Sequence, residues 1–226
     1  LNDKLFDPDL VTVDGRSCAD FDNYKINGYP EYCRGAPDWQ QYDFERLTPK
    51  EYTIEMIFKY QTLPPSSWDW DRDNPQSLLT LVDASNEDIF YIVRVGGKEV
   101  QMRTPDGTFV YDTTGRDNEI NTRDWFYLCI EYDGERTKMT ICNIDTGVSD
   151  SISVYDFGEL GPWKTDALGL IAVGSEVTTS GRYRRSINGL IAEVRITAEK
   201  VPAGQKLYEP NINFTDFSGM AEKWLT

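Results

Sequence analysis

The chain has 226 residues, of which 39% are hydrophobic and 27% charged, a balance typical of one large or two small globular domains. Its formal net charge of −15 disfavours nucleic acid and anionic membrane surfaces as partners, and no apolar run approaches the roughly 20 residues that span a bilayer. Histidine is absent, which excludes Ser-His and Cys-His catalysis and histidine-ligated zinc. We therefore expect a soluble protein in which any catalysis would use carboxylates, tyrosine or lysine.

Residues 1–50 are rich in Asp, Asn, Gly, Pro and Tyr, and the span 20–44 within them predicts a long loop with one edge strand. Loops of that length in a compact domain are usually functional or clamped, and a bridge between Cys18 and Cys33 would clamp this one. The chain begins at Leu1 rather than Met, from which we expect a processed or truncated product.

Most of the remaining chain alternates polar and apolar residues, which predicts half-buried antiparallel strands. In YTIEMIFKY the side chains of Tyr52, Ile54, Met56 and Phe58 share one apolar face. Similar segments follow at 77–84, 88–95, 98–104, 107–113, 124–132, 136–144, 151–157, 168–175 and 187–197. Short Gly- and Asp-containing turns join them, and no helical period intervenes, so we predict an all-β fold in which two antiparallel sheets form a jelly-roll sandwich.

The four cysteines form two near pairs, Cys18 with Cys33 and Cys129 with Cys142. Four cysteines permit three connectivities, of which this local pairing is the simplest. The alternation places Phe126, Leu128 and Ile130 on the core face and both Cys129 and Cys142 on the opposite face of one hairpin, which favours a cross-strand disulfide. Two disulfides would indicate an oxidising, extracellular setting, and the alternative is four buried free thiols.

The C-terminal residues FTDFSGMAEKWLT carry apolar side chains at three- or four-residue spacing, namely Phe214, Phe217, either Met220 or Ala221, and Trp224. This spacing predicts a short amphipathic helix at the end of the chain.

The order and the sequences of the predicted strands resemble the laminin-G-like jelly roll of the concanavalin A-like lectin/glucanase superfamily over about residues 45–200. The resemblance rests on a strand that opens on Trp125, on the turn Tyr132-Asp133-Gly134 and on the last strand, which matches Gly-x-Ile-(Asp/Glu)-x-Val-Arg-Ile with Ala192 inserted before Glu193. It implies a concanavalin A-like sandwich.

The tail NINFTDFSGMAEKWLT is similar to the dockerin-like C-terminal segments of secreted planctomycete proteins. The preceding QKLYEP lacks the acidic residues and the glycine of a calcium loop, so we expect this tail to pack as a helix or to dock on a partner. We accordingly divide the chain into a jelly-roll domain, 1–204, and a dockerin-like tail, 205–226.

The resemblance also implies a structural calcium ion between an N-terminal loop and the final strand. Asp14, a carbonyl near Gly15 and Glu193 are the candidate ligands, since calcium prefers hard oxygen atoms. The alternative for Glu193 is a solvated strand residue or a partner of Arg195.

The stretch SSWDWDRDN lies in the loop between the predicted strands at 52–60 and 77–84. Indole faces stack on sugar rings while carboxylates accept hydroxyl hydrogen bonds, so Trp68, Asp69, Trp70 and Asp71 form a candidate glycan platform. Alternatively, one tryptophan plugs the rim of the sandwich and the aspartates face water.

A second candidate is the basic patch of Arg182, Tyr183, Arg184 and Arg185, whose local positive charge would attract an anionic glycan or an acidic neighbour.

Retaining glucanases of this fold carry a Glu-x-Asp-x-x-Glu strand, because the nucleophile and the acid must stand about 5 to 5.5 Å apart. No segment here has that spacing. We therefore expect an extracellular, non-catalytic module that binds carbohydrate or a surface protein. The alternatives are a self-assembling cell-surface or filament protein, and a polysaccharide lyase or hydrolase that uses other residues.

Overall fold

The fold is described from a computed structural model, which defines residues 9–21, 51–62, 76–83, 89–104, 107–155, 168–174, 176–177, 183–184 and 187–208. Within these ranges the chain forms fourteen strands and no helix. The strands are β1 (Asp9–Val13), β2 (Arg16–Phe21), β3 (Tyr52–Tyr60), β4 (Gln76–Asp83), β5 (Ile89–Gly96), β6 (Glu99–Thr104), β7 (Gly107–Asp112), β8 (Phe126–Tyr132), β9 (Arg136–Asn143), β10 (Val148–Tyr155), β11 (Leu168–Val173), β12 (Glu176–Val177), β13 (Tyr183–Arg184) and β14 (Gly189–Thr197).

The strands form two large antiparallel sheets and one small one. The seven-stranded sheet has the order β1-β2-β14-β3-β8-β9-β10, the five-stranded sheet the order β11-β4-β5-β6-β7, and β12 pairs with β13 alone. The predicted all-β fold of two antiparallel sheets is therefore confirmed, and the hairpins β1–β2 and β12–β13 are additions that the alternation did not reveal.

The main core lies between the inner faces of the two large sheets. Tyr52, Ile54, Met56 and Phe58 of β3 are all fully buried there, as their alternation predicts. From β8 and β9 the same core receives Phe126, Leu128, Ile130, Met139 and Ile141. From the five-stranded sheet it receives Leu78, Leu79, Leu81, Val93, Val95, Val100, Met102, Phe109 and Tyr111.

A bulge interrupts the alternation of β14. Ile191 lies opposite Phe58 of β3, and Glu193 lies opposite the preceding residue, Ile57, so Ala192 has no partner of its own. This is the residue inserted relative to the laminin-G-like pattern. Because of the bulge, Ile191 and Val194 both pack on the main core.

The outer face of the seven-stranded sheet is also largely buried, although a single apolar face was expected. A second apolar cluster on this face contains Cys18, Ile57, Trp125, Tyr127, Cys129, Cys142, Leu190 and Tyr208. On β3 even Thr53 and Glu55 are fully buried. The chain after β14 covers this face, and that segment has no periodic signal in the sequence.

The outer face of the five-stranded sheet carries a buried ion pair. Arg94 of β5 lies 3.3 Å from Glu176 of β12, and both side chains are almost fully buried. Burial of two charges costs free energy unless they are paired, so this contact ties the small β12–β13 hairpin to the sheet.

The predicted disulfide between Cys129 and Cys142 is wrong, since both cysteines are buried free thiols. Cys129 lies opposite Thr140 and Cys142 lies opposite Tyr127, so the two cysteines are diagonal neighbours across the hairpin. Diagonal neighbours stand about 7–8 Å apart, at or beyond the limit for a bridge. Cys18 is also a buried free thiol, and its predicted partner Cys33 lies outside the described residues.

Residues 209–226 lie outside the described residues, so the predicted C-terminal helix and dockerin-like tail stay predictions. The division of the chain at residue 205 also stays a prediction. Within the described ranges, no helix is long and apolar enough to cross a membrane.

The thiols of Cys129 and Cys142 should resist iodoacetamide in the native protein and react in guanidinium chloride without reductant. Burial raises the pKa of both thiols, to about 12 for Cys129, so little reactive thiolate exists at neutral pH. Peptide mass mapping measures the modification, and a reduced sample provides the control. Peptides that stay unmodified in denaturant until reductant is added would contradict the free-thiol assignment.

Candidate functional site

Strand register arranges the outer face of the seven-stranded sheet into rows of side chains. One row runs from Ser151 of β10 through Thr140 of β9, Cys129 of β8 and Glu55 of β3 to Arg195 of β14, because each residue lies opposite the next. The neighbouring row contains Ser149, Cys142, Tyr127, Ile57 and Glu193. The β10 end of these rows therefore presents hydroxyl groups, and the β14 end presents charged groups.

Residues 198–208, here called the strap, cross the β14, β3 and β8 part of this face. The hydroxyl of Thr53 donates to the carbonyl of Glu199 at 2.9 Å and accepts from the N–H of Val201 at 3.0 Å. Arg195 donates to the carbonyl of Gln205 at 2.7 Å. These hydrogen bonds join both ends of the strap to side chains of the sheet.

Glu55 is the central anchor of the strap. Its Oε1 accepts a hydrogen bond from the Tyr127 hydroxyl at 2.7 Å and one from the Leu207 N–H at 2.8 Å. Its Oε2 accepts from Nε of Arg195 at 2.6 Å and also forms an ion pair with that guanidinium. A fully buried carboxylate needs such partners, because an unpaired charge in the interior is very costly.

On β9 the strap residue Tyr208 packs in one buried cluster with Cys142, whereas Lys138 and Thr140 stay partly exposed. The edge of the strap forms one wall of a groove of about 380 Å³. This volume falls in the range of small-molecule sites. The groove is lined by Tyr127, Cys129, Lys138, Thr140, Ser149, Asp150, Ser151, Ala203, Lys206 and Tyr208. Ser149 and Ser151 are exposed on the edge strand β10, so the groove is open to solvent on that side.

The carboxylates at the groove are neutralised by cations. Glu131 forms a 2.9 Å ion pair with Lys206 of the strap. Asp150 lies opposite the core residue Ile141, so its carboxylate is on the inner side of β10, where it accepts hydrogen bonds from the Tyr111 hydroxyl at 2.8 Å and from Arg116 at 2.6 Å. The bond from Tyr111 is the largest influence that holds the pKa of Asp150 below its usual range, and Arg116 acts in the same direction.

Two phenols and one thiol line the groove, and none of the three is tuned for acid–base catalysis near neutral pH. Burial is the main cause that raises the pKa of the Tyr127 and Tyr208 hydroxyls and of the Cys129 thiol. A general base or a nucleophile would need a pKa lowered toward neutrality. These three groups therefore act as neutral hydrogen-bonding groups.

The residues predicted as a glycan platform, Trp68, Asp69, Trp70 and Asp71, lie outside the described residues. In the basic patch, Tyr183 and Arg184 form β13 and pair with Val177 and Glu176 of β12. The other two members of the patch, Arg182 and Arg185, lie outside the described residues.

The two predicted calcium ligands do not form a calcium site by themselves. Asp14 lies in the β1–β2 turn, where it accepts 3.0 Å hydrogen bonds from the Lys59 ammonium and from the Trp125 indole N–H, and these lower its pKa in that order. Glu193 is exposed on β14. Calcium needs six to eight oxygen ligands, and the described residues contain no group of three or more acidic, Cys or His side chains that could hold a metal. A structural calcium ion stays a prediction.

The sequence did hold a signal for the groove that the site predictions did not use. VSDSISVY has a serine at every second position from 149 to 153, and KMTIC alternates Lys138 and Thr140 with core residues. This alternation marks a polar face that remains uncovered. The strap wall could not be found in this way, because Ala203, Lys206 and Tyr208 follow no period.

No known family model matches this chain, and no curated protein matches it. Among solved structures, the LG1-3 region of the laminin α2 chain is similar with a TM-score of 0.50 and 14% identity over 70% of this chain and 28% of that one. The CBM40 module of the Ruminococcus gnavus IT-sialidase is similar with a TM-score of 0.51 and 12% identity over 74% of this chain and 89% of the module. The fold is a laminin-G-like jelly roll. These identities establish the fold alone.

Two further structures share this fold. The same CBM40 module bound to α2,3 sialyllactose matches with a TM-score of 0.50, 13% identity and the same coverage of 74% and 89%. The enzymatically active domain of tailspike protein 2 of bacteriophage CBA120 matches with a TM-score of 0.50 and 13% identity over 84% of this chain and 27% of that one. The chain thus spans about a quarter of the laminin and tailspike chains but nearly all of the CBM40 module.

Replacing Glu55 by Gln should lower the free energy of unfolding by about 2–3 kcal/mol, because Arg195 loses its buried counter-charge and the strap loses its anchor. Urea denaturation followed by tryptophan fluorescence measures the change.

Glu135→Gln is the matched control, since Glu135 is exposed in the β8–β9 turn and should change stability by less than about 0.5 kcal/mol. Equal stability of the two variants would show that Glu55 does not anchor the strap.

Proposed function

We propose that this chain is a non-catalytic recognition module that binds carbohydrate. The observation that carries the proposal is the open groove between the strap and β10, where hydroxyl and ammonium groups face solvent beside neutralised carboxylates. Sugars present many hydroxyl groups that both donate and accept hydrogen bonds. The groove offers matching partners in Thr140, Ser149 and Ser151.

The fold supports this proposal. A carbohydrate-binding module whose complex contains α2,3 sialyllactose has the same sandwich and nearly the same extent. The LG1-3 region of the laminin α2 chain has the same fold. Because polysaccharides are displayed outside cells, we propose a secreted or cell-surface location for this chain.

Binding without catalysis is favoured by the chemistry of the groove. Its two nearest carboxylates, Glu131 and Asp150, are each held in an ion pair, while the buried thiol and phenols stay protonated at neutral pH. An acid and a base with separated pKa values are the usual requirement for glycoside cleavage. A lyase or hydrolase is therefore the less favoured alternative, although a tailspike domain described as enzymatically active shares the fold.

The predicted platform of Trp68, Asp69, Trp70 and Asp71 remains a second proposed contact with the glycan. The basic patch around Tyr183 and a structural calcium ion likewise remain proposals that accompany this function.

Self-assembly into a surface layer or filament is the second candidate function. Leu10 on β1 is 87% exposed, and β1 is an edge strand of the seven-stranded sheet. An exposed edge strand with a large apolar side chain is a ready surface for pairing with another chain. A surface-protein partner would use the same kind of contact.

A panel of algal and bacterial polysaccharides should give at least one binding partner, with no release of sugars or of unsaturated ends. Ser151→Trp should abolish binding because the indole fills the groove, whereas Trp68→Ala should weaken binding if the platform contributes. Thr108→Trp, at an exposed position of the edge strand β7, is the matched control and should bind normally.

Failure of every polysaccharide to bind would overturn the proposal. Light scattering after size-exclusion chromatography then tests the second candidate. Assembly through β1 predicts oligomers that dissociate when Leu10 is replaced by Lys.

A further inference from the structure

We infer that the groove recognises a saccharide that bears an anionic group, a carboxylate or a sulfate, and that Lys138 makes the contact with the anion. This inference rests on the proposed function and names the ligand class of the same site. It follows from three features of the groove: its charge, its hydroxyl groups and the closed wall of the strap.

Lys138 differs from Lys206, the other cation that lines the groove. Lys206 forms an ion pair with Glu131. Among the described residues, no carboxylate forms an ion pair with Lys138, although it lines the groove and is only partly buried. Its ammonium group is therefore available to an anion from solution.

The local charge at the groove is positive in a strongly acidic protein. Glu131 lies directly opposite Lys138 on the neighbouring strand but pairs with Lys206, so two ammonium groups surround one carboxylate. The Asp150 and Arg116 charges cancel, and the Cys129 thiol stays neutral because burial raises its pKa to about 12. Charges elsewhere on the surface are screened over about 8 Å at physiological salt, so an anion in the groove mainly experiences this local excess.

The hydroxyl groups extend from Lys138 toward the edge of the sheet. Thr140 lies two residues along β9 on the same face, about 7 Å away, and Ser151 of β10 lies opposite Thr140. A sugar ring that places its charged substituent on Lys138 thus directs its hydroxyl groups toward Thr140 and Ser151. The strap residues Ala203 and Tyr208 close the other side, so the anion approaches from β10.

Calorimetric titration with three hexasaccharides of equal length tests the inference. One is a polyuronate, one is sulfated and one is uncharged, so the experiment separates the two sources of the anion. The native protein should bind one or both anionic sugars at least about tenfold more tightly than the uncharged one, and this affinity should fall as salt is added.

Variants of Lys138 test the named contact. Lys138→Ala should weaken binding of the anionic sugar about tenfold, Lys138→Glu should abolish it, and Lys138→Arg should retain most of it. Lys200→Ala removes the same charge from an exposed strap position that does not line the groove, and it should bind as the native protein does. Thermal unfolding of each variant checks that the fold is preserved.

The inference fails if the uncharged sugar binds as tightly as the anionic ones, or if Lys138→Ala and Lys200→Ala change affinity equally. In either case the proposed function survives, because a saccharide still binds. Binding of an acidic peptide with no binding of any of the three sugars would overturn both the inference and the proposed function.

Discussion

The carboxylate of Glu55 organises the outer face of this protein. It is a full negative charge without solvent access, and it is stable there because a guanidinium, a phenol and a main-chain N–H all donate to it. Two of these donors belong to the sheet, and the third belongs to the strap. The need to satisfy one buried charge therefore fixes the path of the chain after the last strand. That path in turn decides which part of the sheet stays open.

The main core between the two large sheets could be predicted, because alternation of side chains is a direct consequence of strand geometry. Ile54, Met56 and Phe58 point inward at every second position, and the facing strands supply equally regular partners. Nothing in the prediction depended on distant parts of the chain. The two sheets then follow from the need to bury one apolar face of each.

The burial of the outer face of the seven-stranded sheet could not be predicted in the same way, because it depends on the strap, whose sequence has no periodicity. The expected Cys129–Cys142 bridge shows the difficulty: the face was correct, but a register offset of two residues separates the sulfur atoms. Pattern alone assigns a residue to a face and does not assign its partner. The candidate site was missed for a related reason, since it joins β9 and β10 to strap residues such as Lys206 and Tyr208.

The extra residue in the last strand has a consequence for electrostatics. If Ala192 were paired as a regular strand residue, strict alternation from Ile191 would turn Arg195 toward the apolar interior and would place Val194 and Ile196 on the outside. The bulge leaves Ala192 without a partner and so prevents this, and the guanidinium reaches Glu55 while both aliphatic side chains remain in the core. A one-residue irregularity in the backbone thus supplies the counter-ion on which the outer layer relies. A regular strand of the same sequence would place a cation in the hydrocarbon interior and leave an acid without its base.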